Sequence, residues 1–118
     1  MGQVLRKTML VPVLSGIMED TGKRMTGDGS TNGIGTKLKV ATAMGQFRSI
    51  GTDLLALCAN DIAARGAEPL MFSSHHSCCQ LDAQQALEVN EGVAEGCREA
   101  VCAFTEAKTA EMPGVYSR

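Results

Sequence analysis

The sequence predicts a small α+β protein of one domain, with its elements in the order β-β-α-β-α-β. The length of 118 residues, of which 44% are apolar, is that of one globular domain. Two segments repeat apolar residues at three- and four-residue spacing, which is typical of amphipathic helices. Short apolar or alternating segments lie before, between and after these helices, as β-strands do.

The first third of the chain predicts two strands and a polar loop between them. Residues 9–14, MLVPVL, are apolar, and Pro12 lacks the N–H that an inner strand needs, so we expect an edge strand. Residues 19–33 are rich in Gly, Asp, Thr and Ser, which indicates a loop. Residues 36–42, TKLKVAT, alternate in polarity and predict a second, half-buried strand.

The first predicted helix covers residues 49–65. Its apolar positions recur on one face: Ile50, Leu54, Leu57, Cys58 and Ile62. Gly66 then stands where a capping glycine belongs, and Pro69 prevents the helix from continuing. A strand is expected next, over residues 69–79, PLMFSSHHSCC.

The second predicted helix covers residues 83–100, with Asp82 as its N-cap. Its apolar face consists of Ala86, Val89, Val93, Cys97 and Ala100. The opposite face carries glutamates that we interpret as a solvated surface, namely Glu88, Glu91, Glu95 and Glu99. Residues 101–105, VCAFT, predict the last strand, and the tail after them has no room for another element.

Composition and charge exclude two classes of partner. The net charge is −2 with both signs spread along the chain, so the basic surface of a nucleic-acid-binding protein is absent. No apolar segment reaches the length that spans a bilayer, so no membrane partner is expected. The five cysteines are odd in number and irregularly spaced, which favours reduced thiols in a cytoplasmic protein.

Three motifs carry the chemistry, and each alone is a weak signal. In residues 31–37, TNGIGTK, two glycines allow a ligand to approach the backbone and Lys37 suits an anion, although such segments are usually plain turns. In residues 60–69, NDIAARGAEP, the carboxylate of Asp61 could bind a metal or cap a neighbouring loop. The third motif is TAEMPG, residues 109–114.

In this order and spacing, the three motifs resemble the AIR synthetase family, the phosphoribosylformylglycinamidine cyclo-ligases of purine biosynthesis. The resemblance runs over residues 31–116 and includes GIGTKLKVA and IGTDLLALCANDIAARGAEPLMF. The Asp-x4-Gly-Ala-x-Pro pattern that starts at Asp61 is shared with a wider ATP-binding superfamily, which includes selenophosphate synthetase and thiamine-monophosphate kinase. The CAND tetrapeptide of residues 58–61 and the TAEMPG segment point more narrowly to the cyclo-ligases.

The resemblance implies a fold, a reaction and a set of site residues. The family's N-terminal domain is an α+β fold with a mixed sheet whose strands pair across a homodimer, and ATP lies at that interface. ATP activates the formyl oxygen of formylglycinamidine ribonucleotide, and ring closure gives aminoimidazole ribonucleotide. The positions that match the nucleotide-binding residues are Gly33, Gly35, Thr36, Lys37, Asp61, Thr109, Ala110 and Glu111. Asp61 is also the implied Mg²⁺ ligand, and no catalytic residue is assigned.

The chain departs from the family pattern at the implied metal site. Asn32 stands where the family usually has an aspartate, and Lys108 stands where it has a metal-side glutamate. Glu106 and Ala107 replace a pair of glycines. The exchange of two carboxylates for an amide and an ammonium changes the local charge by about three units, which disfavours a hard cation such as Mg²⁺. Because Lys108 would meet a phosphate directly, nucleotide binding is expected to suffer less than catalysis.

The expected organisation is a divergent strand and loop in residues 1–30 and a partial AIR synthetase N-terminal domain in residues 31–118. The family's second domain carries much of the ribonucleotide site, and its sequence is absent here, so we expect this truncated chain to be inactive alone. Two hypotheses remain open. The chain is either the ATP-site portion of the synthetase or a degenerate, non-catalytic copy that keeps a dimerisation or weak nucleotide-binding surface.

A zinc site is a rival interpretation for His75, His76, Cys78 and Cys79. Neighbouring residues of a strand point to opposite faces, so at most two of these side chains converge. Tetrahedral zinc needs further ligands, and the sequence offers no CxxC partner. We therefore interpret this segment as a divergent strand end.

Overall fold

The structure, a computed structural model, describes residues 13–20 and 28–116. These residues form one sheet and a set of helices, which confirms the predicted α+β class. The strands are β1 (Val13–Asp20), β2 (Asp28–Gly33), β3 (Met71–Cys78) and β4 (Ala103–Glu111). The helices are α1 (Lys37–Met44), α2 (Arg48–Ala64) and α3 (Ala83–Ala100).

The sheet is mixed and has the strand order β2-β1-β3-β4. The β1 strand pairs antiparallel with both β2 and β3, whereas β3 and β4 are parallel. A parallel pair needs a crossover connection, and α3 supplies it. Within the described residues, β2 and β4 are therefore the edges of the sheet.

The α2 and α3 helices pack against the sheet and enclose the core. The most deeply buried side chains are Phe72, Leu54, Leu55, Ile62, Val93 and Cys58. The predicted apolar face of α2 is confirmed except at Leu57, which is 41% exposed. Leu55 is buried instead, because it lies on the side of α2 that faces α3, where it contacts Gly96.

Glycines allow the backbones of α2 and α3 to touch. A Cβ atom on Gly92 would overlap the carbonyl oxygen of Arg48, and one on Gly51 would overlap the carbonyl oxygen of Val89. The hydroxyl of Thr52 donates a hydrogen bond to the Gly92 carbonyl at 3.0 Å. The two helices are thus held at a distance that no larger residue permits at these positions.

The prediction of a strand over residues 36–42 is wrong, because this segment forms α1. Leu38 and Ala41, three residues apart, are its buried positions, whereas Val40 is 58% exposed. Burial therefore follows the helical period and not the apparent alternation. The helix ends at Gly45, whose φ of 66° is the left-handed conformation that glycine tolerates best.

Two predictions for the N-terminal third are also wrong. The polar segment 19–33 is not only a loop, since it contains the end of β1 and all of β2. An edge strand needs little apolar side-chain area, which is why its sequence, DGSTNG, resembles a loop. The strand predicted over residues 9–14 begins in the described part at Val13, and it lies between two neighbours and not at an edge. The rest of that segment lies outside the described residues.

For the remaining helices and strands, most of the first and last residues lie close to the predicted ones. Asp82 caps α3, and its Oδ1 accepts hydrogen bonds from the amides of Gln84 at 2.9 Å and Gln85 at 3.1 Å. Gly66 follows α2 with a φ of 77°. The last strand is longer than predicted, because β4 runs on to Glu111 through a segment expected to hold no element. Most of β4 is exposed, so it lacks the apolar pattern that marks a strand in sequence.

None of the four glutamates of α3 is buried, as predicted for a solvated surface, and two of them also form ion pairs there. Glu91 and Glu95 each form an ion pair with Arg48 at 2.9 Å.

In the described ranges, no helix combines the length and apolarity that a bilayer crossing requires.

Candidate functional site

A glycine turn connects β2 to α1. The strand ends at Gly33, the buried Ile34 anchors the turn in the core, and Gly35 takes a φ of 74° before the helix begins at Lys37. The first amides of a helix have no acceptor within the helix and carry the positive end of its dipole. Strand, glycine turn and helix N-terminus in this order have the geometry with which proteins hold phosphate groups.

Lys37 lies at the end of this turn and reaches across to α2. Its Nζ atom forms an ion pair with Oδ2 of Asp53 at 3.0 Å, and the two side chains are 57% and 39% exposed. An exposed pair of this kind contributes about 0.2–1 kcal/mol. Lys37 can therefore exchange Asp53 for an anionic ligand, because breaking this ion pair requires little free energy.

A hydrogen-bonded cluster joins β2 to α2 beside the turn. It consists of Ser30 and Asn32 from the strand and Cys58 and Asp61 from the helix, and we call it the Asn32 cluster. The Asn32 amide nitrogen donates to Oγ of Ser30 and to Oδ2 of Asp61, both at 2.8 Å, and lies 3.7 Å from Sγ of Cys58. The Ser30 hydroxyl donates to the same Asp61 oxygen at 2.9 Å, which closes a ring of three hydrogen bonds.

The electrostatics of the cluster favour an ionised Asp61. The Asn32 hydrogen bond and then the Ser30 hydrogen bond hold the pKa of Asp61 below its usual value. Burial opposes them, and the nearby Arg65 charge adds a smaller lowering effect. Arg65 also donates from Nη2 to the Gly29 carbonyl at 2.9 Å. Burial chiefly raises the pKa of the Cys58 thiol, so this group stays protonated at neutral pH.

The Asn32 cluster does not fit Mg²⁺. That ion requires several oxygen ligands, preferably anionic. The cluster offers one carboxylate, and the Asp61 oxygen that faces it already accepts two hydrogen bonds. Among the residues that the structure describes, no three His, Cys, Asp or Glu side chains converge on a common point that a metal could occupy.

The other implied site residues lie on β4, at the opposite edge of the sheet from β2. They are Lys108, Thr109, Ala110 and Glu111. Since β1 and β3 intervene, about 14 Å separates the two edges. The Nζ atom of Lys108 lies 3.6 Å from a Glu106 carboxylate oxygen, and Oε1 of Glu111 accepts a hydrogen bond from the Leu81 amide at 2.8 Å. One chain therefore brings the glycine turn and Asp61 together, but not the β4 residues with them.

The histidine and cysteine segment lies in and after β3. Nε2 of His75 and Oγ of Ser77 are 2.6 Å apart, two residues along one face of the strand. Burial, with a smaller effect of His75, lowers the pKa of His76. All of the cysteines are free thiols.

Sequence reasoning missed three members of this region, namely Ser30, Asp53 and Arg65. Ser30 was hidden by the loop interpretation of residues 19–33. Once that segment is treated as a strand, Ser30 and Asn32 fall on the same face, which is the signal that would have found the pair. Nothing in the sequence indicated the ion pair between Lys37 and Asp53, because this contact forms only when residues 37–44 are a helix.

Comparison with known proteins identifies the class. The chain matches the family model for the AIR synthase related protein, N-terminal domain, over residues 11–117. It therefore belongs to that family. The match begins within the segment that appeared divergent from the motifs alone.

Individual relatives carry a more specific name. A phosphoribosylformylglycinamidine cyclo-ligase of Anaeromyxobacter dehalogenans is 52% identical over 88 residues, which are 75% of this chain and 26% of the relative. Proteins of the same name from Chromobacterium violaceum and Synechococcus elongatus are 50% and 51% identical over 86 residues, 73% of this chain and 25% of each relative. The chain thus spans about a quarter of the length of the curated relatives it matches.

Proposed function

We propose that this chain is the ATP-binding portion of a phosphoribosylformylglycinamidine cyclo-ligase that acts in de novo purine biosynthesis. Family membership and the shared name of the relatives support this proposal. The observation that carries it is the glycine turn from Gly33 to Lys37, which joins an edge strand to a helix N-terminus. That geometry suits an anionic phosphate chain.

Each part of the turn has a proposed task. The amides of Thr36 and Lys37 donate to phosphate oxygens, and Gly35 leaves open space beside them, since a Cβ there would meet nothing within 4 Å. Lys37 adds a positive charge once it leaves Asp53. ATP, when bound, would supply the activation of the formyl oxygen of formylglycinamidine ribonucleotide that precedes ring closure.

We propose that a homodimer completes the pocket. In a single chain, Thr109, Ala110 and Glu111 lie at the far edge of the sheet, so the β4 strand of a second copy would have to bring its own residues to the turn. Among the described residues no strand pairs with the outer side of β4, and a strand edge of this kind recruits another strand, which supports this arrangement. Sedimentation equilibrium at tens of micromolar should give a dimer, and a clean monomer would contradict it.

We further propose that the 118-residue chain is not catalytic by itself. By the family resemblance, Asn32 and Lys108 stand where carboxylates belong at the metal site, and the Asn32 amide instead donates a hydrogen bond to Asp61. A phosphate-release assay with ATP and formylglycinamidine ribonucleotide should show no turnover above background.

The alternative, a degenerate copy that keeps only a dimerisation or weak nucleotide-binding surface, is favoured by the amide at Asn32 and the ammonium of Lys108.

The free thiols agree with our placement of the chain in the reducing cytoplasm.

Calorimetric titration with ATP tests the proposed site. Removal of the Lys37 charge, as Lys37→Ala, should weaken binding by roughly 10- to 150-fold, because a charge-assisted hydrogen bond contributes about 1.5–3 kcal/mol. The matched control is Lys39→Ala, which removes the same charge two residues further along α1. Equal affinity in both variants and the unmodified chain would mean that the turn does not hold the phosphates. No ATP binding in any of them would favour the degenerate copy.

A further inference from the structure

The Asn32 amide sits where acceptor atoms converge. Oxygens of Ser30 and Asp61 lie at 2.8 Å from the amide nitrogen, and the Cys58 sulfur lies at 3.7 Å. The reverse orientation of the amide would place its oxygen against the Asp61 carboxylate, so the donor assignment is the one that electrostatics permits. A donor surrounded by a carboxylate, a hydroxyl and a sulfur takes the position that a small cation would take.

We propose that the Asn32 side chain replaces a bound cation in this cluster, and that residue 32 decides whether the β2–α2 junction needs a divalent metal. With asparagine, the two amide hydrogens satisfy the Ser30 and Asp61 oxygens directly. The junction then holds together without metal. The proposal concerns the folded chain itself and does not require that ATP binds.

An aspartate at position 32 would reverse this balance. It has the same shape, but it would place a second carboxylate within contact distance of the Asp61 oxygen. Two close carboxylates repel each other unless a cation lies between them or one takes up a proton. Arg65, which directly follows the end of α2, neutralises part of this charge, but its guanidinium also donates a hydrogen bond to the Gly29 carbonyl. At a pH where both carboxyls are ionised, a divalent ion is therefore the remaining stabiliser in such a variant.

The consequence for the glycine turn depends on the function proposed above. Asn32 directly precedes Gly33, so the cluster fixes the strand end from which the turn departs. If phosphates bind at the turn, the unmodified chain holds that turn in place without Mg²⁺. Asn32 is then a positioning residue for the site and touches no substrate.

Thermal unfolding with and without millimolar Mg²⁺, and no nucleotide, tests the proposal. The unmodified chain should melt at the same temperature in both conditions. Asn32→Asp should melt on the order of 5 °C lower without Mg²⁺ and recover in a saturable way when it is added. The matched control is Asn60→Asp, which adds the same charge on α2 at an exposed position outside the cluster. It should show no response to Mg²⁺.

A swap variant separates the donor role from general loss of packing. Asn32→Asp combined with Asp61→Asn restores one amide and one carboxylate with their positions exchanged. It should regain most of the lost melting temperature and lose the Mg²⁺ response. If Asn32→Asp does not fold at all, the swap alone decides, because its failure to restore folding would overturn the proposal. A stabilising effect of Mg²⁺ on the unmodified chain, or no Mg²⁺ effect on a folded Asn32→Asp, would overturn it as well.

Discussion

The contact between α2 and α3 predicts a large effect from one added methyl group. In Gly92→Ala, the new Cβ overlaps the backbone carbonyl of Arg48, which cannot move aside as a side chain can. The helices would have to separate by roughly 1–2 Å to restore van der Waals distance. That separation also breaks the hydrogen bond from Thr52 to the Gly92 carbonyl.

The loss of folding stability expected for Gly92→Ala has three contributions. Overpacking of a tight interface costs about 1–3 kcal/mol, and a clash with backbone belongs at the upper end. The lost hydrogen bond adds about 1 kcal/mol, and the better helix propensity of alanine offsets about 1 kcal/mol. We therefore expect about 3 kcal/mol of destabilisation, a large share of the 5–15 kcal/mol that is typical of a domain.

Urea unfolding followed by circular dichroism measures this change. Gly96→Ala is the control, because its Cβ meets mainly the end of the flexible Leu55 side chain, and it should lose clearly less stability. Gly51→Ala should resemble Gly92→Ala, and the two together should cost less than their sum, since one separation of the helices relieves both clashes. If Gly92→Ala is as stable as the unmodified chain, the helices are not in backbone contact and the reasoning fails.

Three further changes test other parts of the structure. Asp53→Asn frees Lys37 and should tighten ATP binding by up to about fivefold in a calorimetric titration; weaker binding would contradict a phosphate site at the glycine turn. Burial raises the pKa of Cys97 from 9.0 to about 12, so its thiol should resist iodoacetamide at pH 8 until the chain unfolds, as mass spectrometry can follow. For the same reason stability should fall as pH rises from 9.0 towards 12, because the unfolded state loses that proton first. Asp82→Ala should lower the free energy of unfolding by about 1 kcal/mol, and Asp82→Ser, which keeps a capping oxygen, should retain most of it.

The long helices could be predicted because each buries one continuous face. Val89, Val93 and Cys97 of α3 follow the helical period, and Asp82 caps the helix as expected. The short α1 helix could not, because only Leu38 and Ala41 are buried, and the exposed Val40, two residues after Leu38, imitates the alternation of a strand. The β2 strand could not either, since an edge strand of polar residues carries no apolar pattern.

The candidate site was predictable only in part. Motif order and spacing singled out Asp61 and the glycine turn as candidates, and in the structure both lie at the same end of β2. The role of Asn32 as a donor to Ser30 required coordinates, because a residue's partners across a sheet and a helix do not appear in its sequence neighbourhood. The separation of Lys108 from Asn32 likewise follows from strand order, which sequence pattern alone does not give.

The most direct test of the proposed phosphate site is a ¹H–¹⁵N spectrum recorded during titration with ATP. If the turn is the phosphate site, the amide signals of Gly35, Thr36 and Lys37 should shift most strongly. They should shift alike with and without Mg²⁺, because Asn32 already holds the junction that a metal would otherwise hold. A phosphate site at the turn would be contradicted if ATP shifted signals elsewhere and left the turn unchanged, or if the turn responded only when Mg²⁺ was present.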